Sequence, residues 1–253
     1  MLIDTHSHFL PHMDDGAKDV AESADLLQAI AAQGVTDLVS TAHFYPKRES
    51  LDRFLERRAI SIQELMRLES ITLNPPESPF FAHYEGPSGS MRLHLGAEVA
   101  LSSALFDQND LSRLCIDRSP YMLIELPFTD RWDSNVRTQL ESLVYEYQLK
   151  PIIAHVERYP ASDYGRDLEQ IRKLSELPCL LQMNVDSLRR FAWKKRCRIL
   201  LQSQWIDLLG SDSHNMNQRP PAFDTMRKFA KRWDLKPEAE FFVDLNEERS
   251  TTV

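Results

Sequence analysis

The chain has 253 residues, 42% of them hydrophobic, and carries 30 Lys and Arg against 38 Asp and Glu, a formal net charge of −8. That length suits one large core, and the acidity argues against a nucleic-acid backbone as main ligand, since such sites need a basic face. Three cysteines without regular spacing make no disulfide framework, and no apolar run approaches the roughly 18 residues of a membrane span.

The first element reads as a strand, LIDTHSH from Leu2 to His8, and not as a secretion signal, so a soluble protein of the reducing cytoplasm is expected. Asp19 and Glu22 form a capping-box pattern ahead of Val20, Ala24, Leu27 and Ala31, and Gly34 stands where a C-terminal cap belongs. A second apolar run, DLVSTAH, ends at His43, and a helix over Leu51 to Glu69 follows with Arg53, Arg57 and Arg58 outward. Asn74 to Ser90, rich in proline, glycine and serine, reads as a long loop. RLHLGAE then ends at Glu98 and YMLIE at Glu125. A helix over Asp133 to Gln148 precedes PIIAH, ending at His155, and one over Arg166 to Glu176 precedes CLLQMN, ending at Asn184. Arg190 to Gln202 reads as a helix before IDLLGSDSH, which ends at His214. Helices over Ala222 to Trp233 and Pro237 to Asp244 and a flexible tail at about 246–253 complete the chain.

Short apolar runs of this kind read as buried parallel strands, and their alternation with helices predicts a parallel α/β sheet, open or closed. Seven runs each finish in a histidine, an acid or an amide, and five of the eight histidines, with His6 beside His8, lie at those ends. Barrels of β/α units keep their chemistry at the C-terminal ends of the strands, so these endings point to one shared polynuclear metal site. His6 and His8, at i and i+2 of an extended strand, point the same way and can grip one ion. Taken singly, each candidate has an ordinary reading: a surface turn for H-x-H and for Asp15, a core or loop histidine for His43 and His155. The joint pattern, with Glu98, Glu125 and Asp212, is what changes the odds. Mixed imidazole and carboxylate ligands suit zinc, iron or manganese better than calcium, and this many exceed what one ion needs. Clustered metals clamp the oxygens of an in-line displacement at phosphorus. Arg158 and Arg219 follow candidate ligands closely and can bind phosphoryl oxygens in a bidentate manner, although surface salt bridges are the plainer reading for each alone.

The motifs DTHSH, MDDGAKD, STAH, GAE, LIEL, IAHVERY, GSDSHN and RPP occur in the order found in the PHP (polymerase and histidinol phosphatase) superfamily. The chain most resembles its bacterial protein-tyrosine phosphatase branch, of the CpsB/YwqE type associated with capsular and extracellular polysaccharide synthesis, from residue 1 to about residue 225. The resemblance implies a distorted (β/α)7 TIM-like barrel in a single domain, 1–253, holding three divalent ions, manganese first. It implies His6, His8, Glu98 and Asp212 around one ion, Glu98, Glu125 and His155 around a second, and Asp15, His43 and His214 around a third. Arg158 and Arg219 match the phosphate-binding arginines, and Asp212 or a metal-bound water is a candidate general acid. The implied substrate is the phosphotyrosine-bearing tail of a membrane-attached tyrosine kinase, with no membrane insertion by the phosphatase and with homo-oligomers left open. Two alternatives stay beside it: a small-molecule phosphomonoesterase such as a histidinol phosphatase, and a non-catalytic scaffold. The thiolate route of other tyrosine phosphatases is excluded, because C-x5-R needs an arginine where Tyr121, Val185 and Ser203 stand after Cys115, Cys179 and Cys197. His12 is close enough to the site to touch substrate, whereas His94 alternates within a strand and reads as structural.

Overall fold

A computed structural model describes residues 2–129, 132–159 and 168–233. Strand β1 (Ile3–Ser7) leads to α1 (Val20–Ala32), where the Asp19 side chain accepts from the Glu22 backbone as the capping pattern requires. Gly34 takes a left-handed φ of 77°, which ends that helix at little steric cost. The second run is split into β2 (Asp37–Ser40) and β3 (His43–Phe44), followed by α2 (Leu51–Leu65). Three strands come next: β4 (Ile71–Leu73), β5 (Ala82–Gly86) and β6 (Gly89–Leu95). β7 (Glu98–Ala100) and β8 (Tyr121–Glu125) precede α3 (Ser134–Tyr145), capped by Asp133, and β9 (Lys150–Ile153). The chain continues through α4 (Glu169–Leu174), β10 (Leu180–Asn184), α5 (Phe191–Gln202), β11 (Leu208–Gly210) and α6 (Phe223–Trp233). The helix expected over 237–244 and the tail at 246–253 lie outside the described residues.

This is a mixed α/β fold around a curled, mainly parallel sheet. One sheet runs β1-β2-β6-β5-β4 and the other β11-β10-β9-β8-β7-β3. The second and third apolar runs break at Thr41–Ala42 and Gly96–Ala97, so their first halves pair in one sheet (Ser40 opposite Leu95) and their second halves in the other (His43 opposite Glu98). At the far edge, Asp212 N donates to His6 O at 2.7 Å and His8 N to Ser213 O at 2.9 Å. Ser7 and Ser213 form a parallel bridge there.

The core has two parts. Ile3, Val39, Leu123, Ile152 and Leu208, one from each of five strands, cluster with Ile116, Tyr121 and Ala154 on the concave face of the curl. A larger cluster packs the outer face against the helices, with Leu27 and Ile30 of α1, Phe54 of α2, Leu140 of α3, Leu200 of α5 and Phe223 of α6. Two packed faces explain why the strands read as continuous apolar runs and not as alternating ones.

Two expectations need correction. Asn74 to Ser90 is not a plain loop: β5 and β6 form an antiparallel hairpin through Pro87 and Ser88, with Gly86 opposite Gly89. Ala82 and Tyr84 are buried while His83 and Glu85 face out, a two-residue alternation masked by the prolines and glycines around it. The arginines of α2 are not all a solvated face either. Arg57 pairs with Glu49 and hydrogen-bonds Met13 O, and Arg58 Nη1 donates to Gly96 O at 3.1 Å, so both tie the helix to loops beneath the strand ends.

Candidate metal centre

Side chains from β1, from the start of β3 and from the ends of β8, β9 and β11 converge on the carboxylate of Glu98, the first residue of β7. Oε2 lies 2.9 Å from His43 Nδ1, 3.2 Å from His6 Nε2 and 3.4 Å from His8 Nε2, and Oε1 lies 2.8 Å from His155 Nε2. His6 and His8 point the same way, as their spacing requires, with their Nε2 atoms 3.1 Å apart and each 3.5 Å from Asp212 Oδ1. Glu125 Oε1 is 3.5 Å from His155 Nε2. Asp15 Oδ1 is 3.4 Å from the Nε2 atoms of both His43 and His214. All nine candidate ligands therefore meet in one cluster.

Backbone geometry aims them. His155 and Asp212 have φ of 35° and 51°, left-handed values that cost a non-glycine residue about 1–3 kcal/mol and concentrate at functional sites. Gly210 is required by close packing, since a Cβ there would sit 2.5 Å from Gln182 Nε2 and 2.6 Å from His6 Cβ. Gly16 is required likewise: its Cβ would meet His8 O at 2.3 Å, so the DDG turn lies directly on the β1 terminus.

The donor set fits divalent ions. Glu98 Oε2 and His214 Nε2 are buried and make no hydrogen bond, although several imidazole nitrogens crowd around that carboxylate oxygen. Converging lone pairs of this kind are what a cation satisfies. Four mutually close ligand groups occur among the described residues: His6, His8 and Asp212; His8, His43 and His214; His43, Glu98 and Glu125; and Asp14, Asp15 and His43.

Electrostatics follow from the crowding. Burial works against charge throughout, yet Asp14 and Glu98 raise His8 to about 9, Glu98 and Asp15 raise His43 to about 12, and Glu125 and Glu98 raise His155 to about 9. Burial and the neighbouring His8 push His214 down to about 4. Against the same burial penalty, His6 and His43 hold the Glu98 carboxyl, and His6 and Arg219 the Asp212 carboxyl, well below the usual range.

Both candidate arginines reach the cluster. Arg158 Nη1 donates to Asp212 Oδ2 at 2.8 Å, and Arg219 Nη2 pairs with Asp212 Oδ1 at 2.5 Å. His12 does not join them: its side chain is exposed and lies 3.4 Å from Glu64. His94 is buried between Asp117 and Asp37, at 2.6 and 3.0 Å, away from the ligands. Cys115 and Cys197 are buried and Cys179 half-buried.

Asp14 and Gln182, not singled out in the sequence, and Asn184, the amide that ends the sixth run, support the cluster. Asp14 accepts from His8 Nδ1 at 2.7 Å, Gln182 accepts from His155 N at 2.8 Å, and Asn184 donates to Asp212 Oδ2 at 2.6 Å. Asp14 is hidden in sequence because the adjacent Asp15 fills the same turn. Gln182 and Asn184 are an i, i+2 polar pair inside an apolar strand, and that is a usable signal.

Fold and cluster together define a mixed α/β protein with a candidate polynuclear metal centre at the C-terminal ends of its parallel strands. Residues 2–76 and 79–248 match the family described as capsular polysaccharide synthesis, CpsB/CapC, and the chain belongs to that family. It is 27% identical over 256 residues to the tyrosine-protein phosphatase CpsB of Streptococcus pneumoniae, covering 96% of each chain. To the tyrosine-protein phosphatase YwqE of Bacillus subtilis it is 26% identical over 228 residues, 86% of this chain and 79% of that one. A crystal structure from work on YwqE and S. pneumoniae CpsB, described as unique metal-dependent tyrosine phosphatases, shares the fold with a TM-score of 0.64 and 23% identity, over 91% of this chain and 87% of the other.

Proposed function

We propose that this chain is a metal-dependent protein-tyrosine phosphatase. The observation that carries the reading is the buried Glu98 carboxylate ringed by four histidines, with two guanidinium groups on the adjacent Asp212. His6, His8, Glu98 and Asp212 would hold one ion, Glu98, Glu125 and His155 a second, and Asp15, His43 and His214 a third, manganese being the first choice over iron or zinc. When bound, such ions lower the pKa of water toward neutrality and neutralise charge on phosphoryl oxygens. Arg158 and Arg219 bind and orient the phosphoryl group and stabilise charge that grows on it. Asp212, whose carboxyl His6 and Arg219 hold below the usual range against burial, would serve as a ligand and is the candidate general acid among this chain's residues. A phenol leaving group, with a pKa of about 10, needs less protonation on departure than an alkyl alcohol.

The reading extends to the architecture and setting. The contacts between β1 and the segment after β11 support closure of the curl into a distorted seven-stranded β/α barrel of PHP type, with 1–253 as one domain. The substrate is then the phosphotyrosine tail of a membrane-attached tyrosine kinase in the cytoplasm, in capsular or extracellular polysaccharide synthesis. Among the described residues no helix is long and apolar enough to cross a membrane.

The test is kcat/KM on a phosphotyrosine peptide and on histidinol phosphate, side by side, after chelation and Mn²⁺ reconstitution. Preference for the peptide is expected. Preference for histidinol phosphate would overturn the substrate and leave the metal centre, and inactivity on both with several metals would overturn the enzyme reading.

A further inference from the structure

The cluster has two flanks of different chemistry. On one side a cavity of about 230 Å³ is lined by Arg158, Asp186, Arg190, Asp212 and Arg219, a polar surface suited to phosphoryl oxygens. On the other a cavity of about 350 Å³ begins at Glu125 and is walled by Leu101, Pro127, Tyr45 and Phe128, with Lys47 and Arg48 also lining it. Each of its two aromatic rings rests on a candidate ligand. Tyr45 lies 5.2 Å from the His43 ring, and Phe128 stacks on His155 at 5.7 Å with an interplanar angle of 24°. A cation lies against each ring: the Arg48 guanidinium, which also lines the cavity, is 4.5 Å from the Tyr45 ring centre, and that of Arg158 is 5.6 Å from Phe128. Phe128 is nonetheless 47% exposed. A phenylalanine held in place by stacking, yet open on a cavity beside reactive groups, presents an apolar surface for a ligand ring.

Resting on the phosphatase reading, we infer that this cavity receives the aromatic ring of the ester, with Phe128 and Tyr45 as its specificity-determining walls. A phosphoryl group at the cluster would carry its leaving group toward Glu125, where two aromatic faces can take an aryl ring edge-on or offset. An alkyl phosphate reaches the same ligands but leaves both faces wet. Selection of aryl over alkyl esters is then built into the walls and does not depend on leaving-group pKa alone.

The experiment compares phenylphosphonate with methylphosphonate, neither of which is hydrolysed, by calorimetric titration of the Mn²⁺-loaded full chain. The same variants are assayed for kcat/KM on phenyl phosphate and methyl phosphate. Wild type is expected to bind the phenyl compound at least tenfold more tightly. Phe128→Ala and Tyr45→Ala should bring that ratio, and the kinetic ratio, toward one, mainly through KM, while Phe128→Tyr restores it. Equal affinities in wild type, or an unchanged ratio in both alanine variants, would overturn the slot and leave the phosphatase reading intact. Aryl-selective binding without turnover of either ester would retain the slot and overturn the phosphatase.

Discussion

One oxygen of Asp14, Oδ2, accepts from His8 Nδ1 at 2.7 Å and from the His43 backbone N–H at 2.8 Å. A single carboxylate thus fixes the His8 ring, leaving Nε2 to face Glu98 and Asp212, and pins the start of β3. Carboxylates in this outer position raise ligand basicity and set the tautomer. Asp14→Ala should weaken metal binding about 10–100-fold, and Asp14→Asn, whose amide oxygen still accepts, should lose less. Metal titration of the chelated protein measures both; unchanged affinity would show that packing alone orients His8.

Glu98 is the hub of the cluster. Glu98→Gln keeps the shape and removes the charge that holds four imidazoles together, so metal content per chain should fall and phosphatase activity with it. His6→Ala and His155→Ala should do the same, with circular dichroism reporting an intact fold. Retained activity in both histidine variants would sink the ligand assignment.

Arg158 and Arg219 each lose a planar fork on substitution by lysine. Arg158→Lys and Arg219→Lys should lower kcat/KM by roughly 10²–10³ if the guanidinium groups stabilise transition-state charge. A rise in KM alone, with kcat unchanged, would make them binding groups only.

Metal loading should release protons. His8 and His155, raised to about 9, and His43, raised to about 12, are protonated at pH 7 before metal enters, and ligation needs the neutral rings. Affinity should therefore rise with pH across the neutral range and fall in acid. Calorimetry in two buffers of different ionisation enthalpy counts the protons; none released would contradict the charged cluster.

His94 offers a stability test away from the metals. Burial alone lowers its pKa, but hydrogen bonds to Asp117 and Asp37 more than reverse this, so the folded value lies above the ordinary 6.5. Its contribution is fully present below pH 6.5 and is lost as pH rises through the folded value. Asp37, held below 3.8 against its own burial chiefly by His94 and Arg92, gives the opposite limb, lost in acid. His94→Gln should cost about 2 kcal/mol between those limits and less at alkaline pH, by urea denaturation. A cost independent of pH would mean that packing, not charge, holds this site.

The sequence alone carried the strand ends, because a strand buried on both faces must be apolar, and a histidine or acid at its C-terminal end breaks that pattern even where it stays buried. It also carried the cap at Asp19 and the H-x-H geometry, which depend on neighbours within a few residues. Tertiary structure decided what depends on distant partners. Asp14 stays hidden beside Asp15 until β3 packs against it, Arg57 and Arg58 read as solvated until the loops lie under α2, and Tyr84 reads as loop until β6 pairs with its strand. Phe128 and Tyr45 lie 83 residues apart by their numbers, and only the curl of the sheet brings them to one cavity. Local chemistry can be written in a short motif; a shared cavity or a supporting carboxylate exists only once separate strands have been placed side by side.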